Sequence, residues 1–253
     1  MSDAYDPRLS IVGEGEPLVL VPGMDGTGQL FYRQVPLLAR AHRVATYALR
    51  DSATDMNTLV ADLARVVEAV APSTGKALVI GESFGGAVAM SLALAQPERV
   101  SGLVVLNSFP YFVPQLHLRL ALYGLGALPW GAMRFVRRLT ASRLHSEHTQ
   151  RDQIQRFMEL MAATTKQGYV NRLRVLRNYD IRERLADLQP PTLFLAAERD
   201  HLVPAVGQAR IMTDRAPRAT MHVLPGHGHI CLIAPDIDLG CIVDQWRAQL
   251  QRR

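Results

Sequence analysis

The stretch Gly81-Glu82-Ser83-Phe84-Gly85-Gly86 limits the possible folds of this chain more than any other. An apolar run, Ala77-Leu78-Val79-Ile80, enters it, and a helix-compatible run from Ala87 to Ala95 leaves it. A strand that turns into a helix within one residue must bend sharply, and a serine at the bend is presented above the sheet. Small residues are needed two before and two after it, because a Cβ there would collide with the neighbouring strand or helix. Gly-x-Ser-x-Gly alone is a weak signal; its place between a buried-strand pattern and a helix makes Ser83 a candidate nucleophile.

The rest of the chain alternates in the same way. Leu18-Val19-Leu20-Val21 is a short continuous apolar run closed by Pro22-Gly23, and residues 44 to 49 form the next strand candidate. Thr54 or Asp55 can cap a helix whose Leu59, Val60, Leu63, Val66, Val67 and Val70 share one face, with Pro72 marking its end. The helix after Ser83 runs to about residue 96, where Pro97 stops it, and the strand Leu103-Val104-Val105-Leu106 follows. After Pro190-Pro191 come a strand at Thr192-Leu193-Phe194-Leu195-Ala196, a helix over about 205 to 215, a strand at Met221-His222-Val223-Leu224 and a closing helix over about 235 to 250. Continuous rather than alternating apolar strands, interleaved with helices, predict an α/β fold: a mostly parallel central sheet with helices on both faces.

Between Phe109 and Leu188 the strand signals stop, and helical patterns separated by glycine and proline take over. At 253 residues the chain suits one core with an insertion better than two independent domains. The expected organisation is a core domain from residues 1–108 and 189–253, with 109–188 as a helical cap insertion.

Charge is unevenly placed. The chain carries +5 overall, yet residues 111–189 alone carry +7, which leaves the remainder slightly acidic. If Arg134, Arg137, Arg138 and Arg143 share a face near a pocket mouth, they could attract an anionic carrier such as CoA, an acyl carrier protein or a lipid headgroup. No zinc-type spacing, Walker loop or basic nucleic-acid motif accompanies the charge, so neither a metal, a cofactor nor a nucleic-acid partner is expected. Residues 120 to 133 are uncharged, but fourteen residues are too few to span a bilayer, and Gly124, Gly126, Pro129 and Gly131 break them further. Stable membrane insertion is therefore not expected. The first fifteen residues hold Asp3, Asp6, Arg8 and Glu14 and no apolar stretch of signal-peptide length, so a cytoplasmic protein is expected. Cys231 and Cys241 read as buried free thiols rather than a disulfide framework.

A serine hydroxyl becomes a useful nucleophile only when an imidazole takes its proton, and the imidazole needs a carboxylate to fix its tautomer. Of eight histidines, His42, His117, His145 and His148 sit in apparent helical or linker contexts and His222 lies within a strand. His229 and His227 share a glycine-rich loop, Leu224-Pro225-Gly226-His227-Gly228-His229, just past a strand; His229 is the first choice and His227 its rival. Asp200 follows another strand end, where open parallel sheets place their reacting groups, with Glu198 as the fallback. At the end of the earlier strand stands Asn107, which supports the later position for the acid. Acyl transfer also needs two N–H donors for a developing oxyanion: the backbone N–H of Phe84, and that of Met24 in the loop Gly23-Met24-Asp25-Gly26-Thr27-Gly28, where Asp25 would bind loop N–H groups rather than act as the acid.

The order Ser83, Asp200, His229, with the Gly81-to-Gly85 turn and the Pro22-Gly23 loop, resembles the α/β-hydrolase family over nearly the whole chain. Asp180-Ile181-Arg182-Glu183-Arg184-Leu185 through Asp200-His201-Leu202-Val203-Pro204 looks like the segment that ends the cap and delivers the acid in capped members. Pro-Gly-Met-Asp-Gly-Thr-Gly departs from the commoner His-Gly start and resembles a subset of bacterial and plant esterase or acyltransferase relatives. Serine at the turn argues against the dehalogenases and epoxide hydrolases of this fold, which use aspartate. The resemblance implies a serine hydrolase that cleaves a carboxylic ester of a hydrophobic acyl substrate through an acyl-enzyme. Two other readings are an acyl-thioesterase or acyltransferase acting on CoA or carrier-protein thioesters, and a catalytically silent receptor of the same fold.

Overall fold

The computed structural model describes residues 8–112, 146 and 149–252. Its sheet has seven strands: β1 (Ser10–Val12), β2 (Glu16–Val21), β3 (His42–Thr46), β4 (Ala77–Glu82), β5 (Val100–Leu106), β6 (Thr192–Ala197) and β7 (Ala219–Leu224). They lie in the order β1-β3-β2-β4-β5-β6-β7, with β1 antiparallel to β3 and every other pair parallel. Leu18 faces Leu78 and Leu78 faces Gly102, which puts the strand carrying Ser83 near the middle of the sheet.

The strands read as unbroken apolar runs because both faces are covered. On one face Val19, Val21, Val79 and Val105 pack with α2 (Met56–Val70) and α3 (Phe84–Ala95). On the other, Leu18, Leu20, Leu78 and Ile80 meet Leu38 of α1 (Gln34–Leu38) and Val243 and Trp246 of the closing helix. Asp55, one of the two expected caps of α2, accepts a hydrogen bond from Thr58 N at 2.8 Å. Between β5 and β6 the chain forms α4 (Arg151–Met161) and α5 (Lys166–Leu176); α6 (Ala205–Arg215) joins β6 to β7, and α7 (Leu239–Leu250) closes the chain. β5 pairs with β6 directly, so the sheet is continuous across the intervening segment.

Several expectations need correction. The strand expected over residues 44 to 49 ends at Thr46, because Leu49 N donates to Gly26 O at 2.8 Å and the chain from Tyr47 onward belongs to the loops. The closing helix starts at Leu239 rather than near 235. Asp238 caps it by accepting from Cys241 N, and the residues before it are spent in the turns Ala234 N to Cys231 O and Ile237 N to Ala234 O. Cys231 is buried as expected, but Cys241 is exposed on α7. His42 lies in neither a helix nor a linker: it opens β3 and is buried. The run 120–133, the four arginines 134, 137, 138 and 143, and His117, His145 and His148 lie outside the described residues. Among the described residues no helix is long and apolar enough to cross a membrane.

Candidate active site

β4 delivers Ser83 on a bend that ordinary residues avoid. Its φ is +53° with ψ −117°, a conformation worth roughly 1–3 kcal/mol of strain in a non-glycine residue. Close packing on both sides holds the bend. A Cβ on Gly81 would overlap the backbone of Gly85, one on Gly85 would overlap Val21 O, and Ser83 N is tied to Leu106 O at 2.8 Å. Both glycines therefore stand where strand and helix approach too closely for a side chain.

The loops after β6 and β7 bring two more side chains to the same place. His229 Nε2 lies 3.0 Å from Ser83 Oγ, and His229 Nδ1 lies 2.7 Å from Asp200 Oδ2. Asp200 is oriented from behind, since its Oδ1 accepts from the N–H groups of Leu202 and Val203, both at 2.9 Å. Ser83, Asp200 and His229 are each at most 8 % exposed, so water barely weakens this hydrogen-bonded line. Burial acts to lower the pKa of His229, but the charge and hydrogen bond of Asp200, with a contribution from Glu82, outweigh it, and the pKa lies above its usual value.

The rival residues are occupied elsewhere. His227 turns away from Ser83: its Nδ1 is 2.7 Å from Ser146 Oγ and its Nε2 is 3.4 Å from Asp236 Oδ2. Glu198 accepts the N–H of Gly226 at 2.9 Å and so clamps the turn that begins the histidine loop. Asp25 accepts from both the N–H and the hydroxyl of Thr27, in keeping with its expected loop role. Met24 lies between Gly23 and Gly26, whose ends close a turn by Gly26 N to Gly23 O at 3.1 Å.

Four residues at the site carry more than the sequence suggested. Asn107, itself at φ +48°, donates to the carbonyl of His229 at 2.8 Å and accepts from Ala197 N at 2.8 Å, joining the ends of β5 and β6 to the histidine loop. Gln34, wholly buried, donates to Leu232 O and Ile237 O and accepts from Leu239 N, pinning that loop from its far side. Arg172 of α5 pairs with Asp51 at 2.8 Å, and Asp51 also receives Thr165 Oγ1 and, at its carbonyl, Asn171 Nδ2. Glu82, the residue before the serine, has Oε1 3.8 Å from His229 Nε2, and burial pushes its carboxyl up to about 7. Glutamate between Gly81 and Ser83 was the one signal that could have flagged it; Asn107 at a strand end and Gln34 and Arg172 on helices gave no comparable hint.

Glu82 lines a small pocket together with Gly23, Asp25, Leu30, Phe31, Ile230, Leu232 and Ile233. Phe157 of α4 packs on Ile230 and Ile233, so the segment between β5 and β6 reaches the wall of this pocket.

A mostly parallel sheet with a serine on a strained strand-to-helix turn, and histidine and aspartate on the loops after two later strands, is the arrangement of an α/β hydrolase. The chain belongs to the alpha/beta hydrolase family, whose sequence pattern matches residues 18–237. It is 32% identical over 237 residues to a protein of Variovorax paradoxus named as a carbamate hydrolase, RutD, covering 85% of each chain. It is 30% identical over 234 residues to a pimeloyl-[acyl-carrier protein] methyl ester esterase of Xanthomonas campestris, covering 88% of this chain and 91% of that one. Among solved structures, a thermophilic esterase from Thermogutta terrifontis superposes with a TM-score of 0.81 at 20% identity, covering 95% of this chain and 92% of the other. These findings make the protein a hydrolase of the α/β fold.

Proposed function

We propose that the protein cleaves a carboxylic ester of a hydrophobic acyl substrate, with Ser83, His229 and Asp200 as its catalytic triad. The observation that carries this reading is the 3.0 Å approach of His229 Nε2 to Ser83 Oγ, with Asp200 behind the other ring nitrogen. Ser83 Oγ attacks the carbonyl carbon as His229 takes its proton, and the carbonyl electron pair moves onto oxygen. The imidazolium then protonates the departing alkoxide, leaving an acyl-Ser83 that water releases by the same steps in reverse order. Asp200 stays ionised and steadies the imidazolium.

The oxyanion is held by the backbone N–H groups of Phe84 and Met24. Phe84 is the first residue of α3, so its N–H has no acceptor within the helix, and Met24 occupies the second position of a turn whose own hydrogen bond does not use its N–H. The apolar wall of Leu30, Phe31, Ile230, Leu232 and Ile233 favours an apolar acyl group. Residues 109–188 serve as a cap over this pocket, a role supported by the packing of Phe157 on Ile230 and Ile233.

A second reading, action on acyl groups borne by CoA or a carrier protein, draws on the +7 charge of residues 111–189 and on the relative named for an acyl-carrier-protein ester. One experiment addresses both readings: a panel of aryl esters and acyl-CoA esters of graded chain length, with and without an alcohol acceptor, alongside labelling by a fluorophosphonate probe. Fast turnover of neutral esters with labelling at Ser83 is the expected result. Labelling without turnover of any ester or thioester would favour a silent receptor. A steep loss of kcat/KM with salt for CoA esters alone would favour the carrier reading, since the Debye length falls from about 10 Å at 0.1 M to about 3 Å at 1 M.

A further inference from the structure

Glu82 has no place in the mechanism above, yet its carboxyl reaches to within 3.8 Å of the proposed base. It is wedged between the proposed base and the proposed oxyanion loop. Oε1 is 3.8 Å from His229 Nε2, and the other oxygen lies so close to Gly23 that a Cβ on residue 23 would overlap it. The side chain is only 14 % exposed. Charged and titratable groups face it from three elements: Asp25 from the oxyanion loop, Asp200 from the loop after β6, and His229 and Cys231 from the loop after β7. Two of these are carboxyl groups and the thiol is buried; the imidazole is cationic below its raised pKa and while it holds the serine's proton, and in that form it favours the charged carboxylate.

A charged Glu82 would work against this chemistry in two ways. Its carboxylate would compete for the Nε2 proton that His229 must deliver to the leaving group, and it would put a negative charge beside the position of the oxyanion. A neutral carboxyl does neither, and it adds an O–H donor next to Gly23. We propose that Glu82 is a catalytic residue that acts in its protonated form, donating its O–H to the oxyanion alongside the backbone N–H groups of Met24 and Phe84. The proton stays on Glu82 throughout: only the serine proton moves, to His229 and on to the leaving group. The carboxyl's shift to about 7 agrees with this role, since much of the population is protonated at neutral pH. The inference rests on the ester-hydrolase reading and adds a residue to it.

The sign of the pH effect follows. His229 must be neutral to accept a proton, so activity rises with pH through its raised pKa. Glu82 must be protonated, so activity falls as pH climbs past about 7. The test is kcat/KM against pH, from 5.5 to 9.5, for a neutral short-chain aryl ester with wild type, Glu82→Gln and Glu82→Ala. Wild type should give a narrow bell. Glu82→Gln, which keeps an N–H donor of similar shape, should lose the alkaline limb and fall roughly threefold to tenfold at the acid side. Glu82→Ala should fall about 10²-fold, the scale of one lost oxyanion donor. Infrared difference spectra of the unreacted protein should show the C=O band of a protonated carboxyl at pH 6 that disappears in Glu82→Gln. An alkaline limb unchanged in Glu82→Gln, a Glu82→Ala enzyme within threefold of wild type, or no such infrared band would overturn the proposal. Fluorophosphonate labelling of Ser83 in all three proteins keeps the two failures apart: labelled, active enzymes whose profiles ignore residue 82 sink this inference alone, whereas an unlabelled wild type sinks the ester-hydrolase reading.

Discussion

The guanidinium of Arg172 covers Gly26, leaving no room for a Cβ on residue 26, and Asp51 holds it there at 2.8 Å. Gly26 has φ +68° and belongs to the loop that carries Met24, so a helix of the segment between β5 and β6 rests directly on the proposed oxyanion loop. Arg172 is buried whereas Asp51 is 39 % exposed, which makes the pair asymmetric. Asp51→Asn should therefore cost more than Arg172→Met, about 3 kcal/mol against about 1 kcal/mol in urea unfolding, because only the first takes a carboxylate away from a guanidinium that stays buried. Both should lower kcat more than they raise KM if the loop's position matters to the transition state. Equal costs, or an effect confined to KM, would speak against the coupling.

The strained bend at Ser83 makes a second, opposite use of substitution. Ser83→Ala should abolish fluorophosphonate labelling and turnover while the protein still folds. Ser83→Gly should be inactive too, but more stable than Ser83→Ala by about 1 kcal/mol, since glycine accepts φ +53° at the cost of some extra chain entropy. Thermal melts of the two variants decide it. A covalent adduct at another serine with retained turnover would end the nucleophile assignment.

The two histidines of one loop should separate cleanly. His229→Ala should lose several orders of magnitude in kcat, whereas His227→Ala, whose contacts are Ser146 and Asp236, should lose less than about tenfold. Asp200→Asn should cost on the order of 10⁴-fold by leaving the imidazole in the wrong tautomer. The reverse order for the histidines, or a loss below about tenfold at residue 200, would reassign the roles.

Glu82 also affects stability, in a direction fixed by linkage. Its carboxyl is raised to about 7 in the folded protein against 4.5 in the unfolded chain, so between those values the unfolded state sheds the proton first. Folding is consequently weakened as pH rises from about 4.5 to about 7. Glu82→Gln removes that penalty, and its stability relative to wild type should grow by about 3 kcal/mol at most over this range, then level off. Denaturant midpoints at pH 5 and pH 8 measure it; a difference that does not change with pH would count against a protonated Glu82.

What could be read from the chain was whatever repeats or encloses. Ala77-Leu78-Val79-Ile80 and Leu18-Val19-Leu20-Val21 are apolar at every position because helices cover both sheet faces, so their nature survives without knowing their neighbours. Asp200 stood out as a candidate because open parallel sheets gather polar groups past their strand ends, although Glu198, the first residue past β6, meets the same criterion and holds Gly226 instead. The short elements were not. β1 is three residues at an antiparallel edge, and α1 contains Pro36, tolerated only because the first turn of a helix has no N–H acceptors to lose. His229 could be preferred to His227 from its place after Gly228, but not the reason it reaches Ser83: the bonds of Asn107, Gln34 and Glu198 hold that loop, and those partners come from distant parts of the chain. The charge state of Glu82 was equally hidden, being a property of burial rather than of residue type.

Ser83 and His229 are 146 residues apart, and the sheet between them closes only when β6 docks on β5 across the whole intervening segment. Closing a loop of that length costs about 4 kcal/mol in chain entropy before any contact repays it, so this docking is a late event in assembly. A chain leaving the ribosome exposes its serine long before the histidine has been synthesised. For all of that interval the hydroxyl is an ordinary alcohol, and the proposed nucleophile meets its proposed base only in the finished sheet, already enclosed. The order of the three residues along the chain thus keeps Ser83 from meeting His229 until the last strands of the sheet have been made.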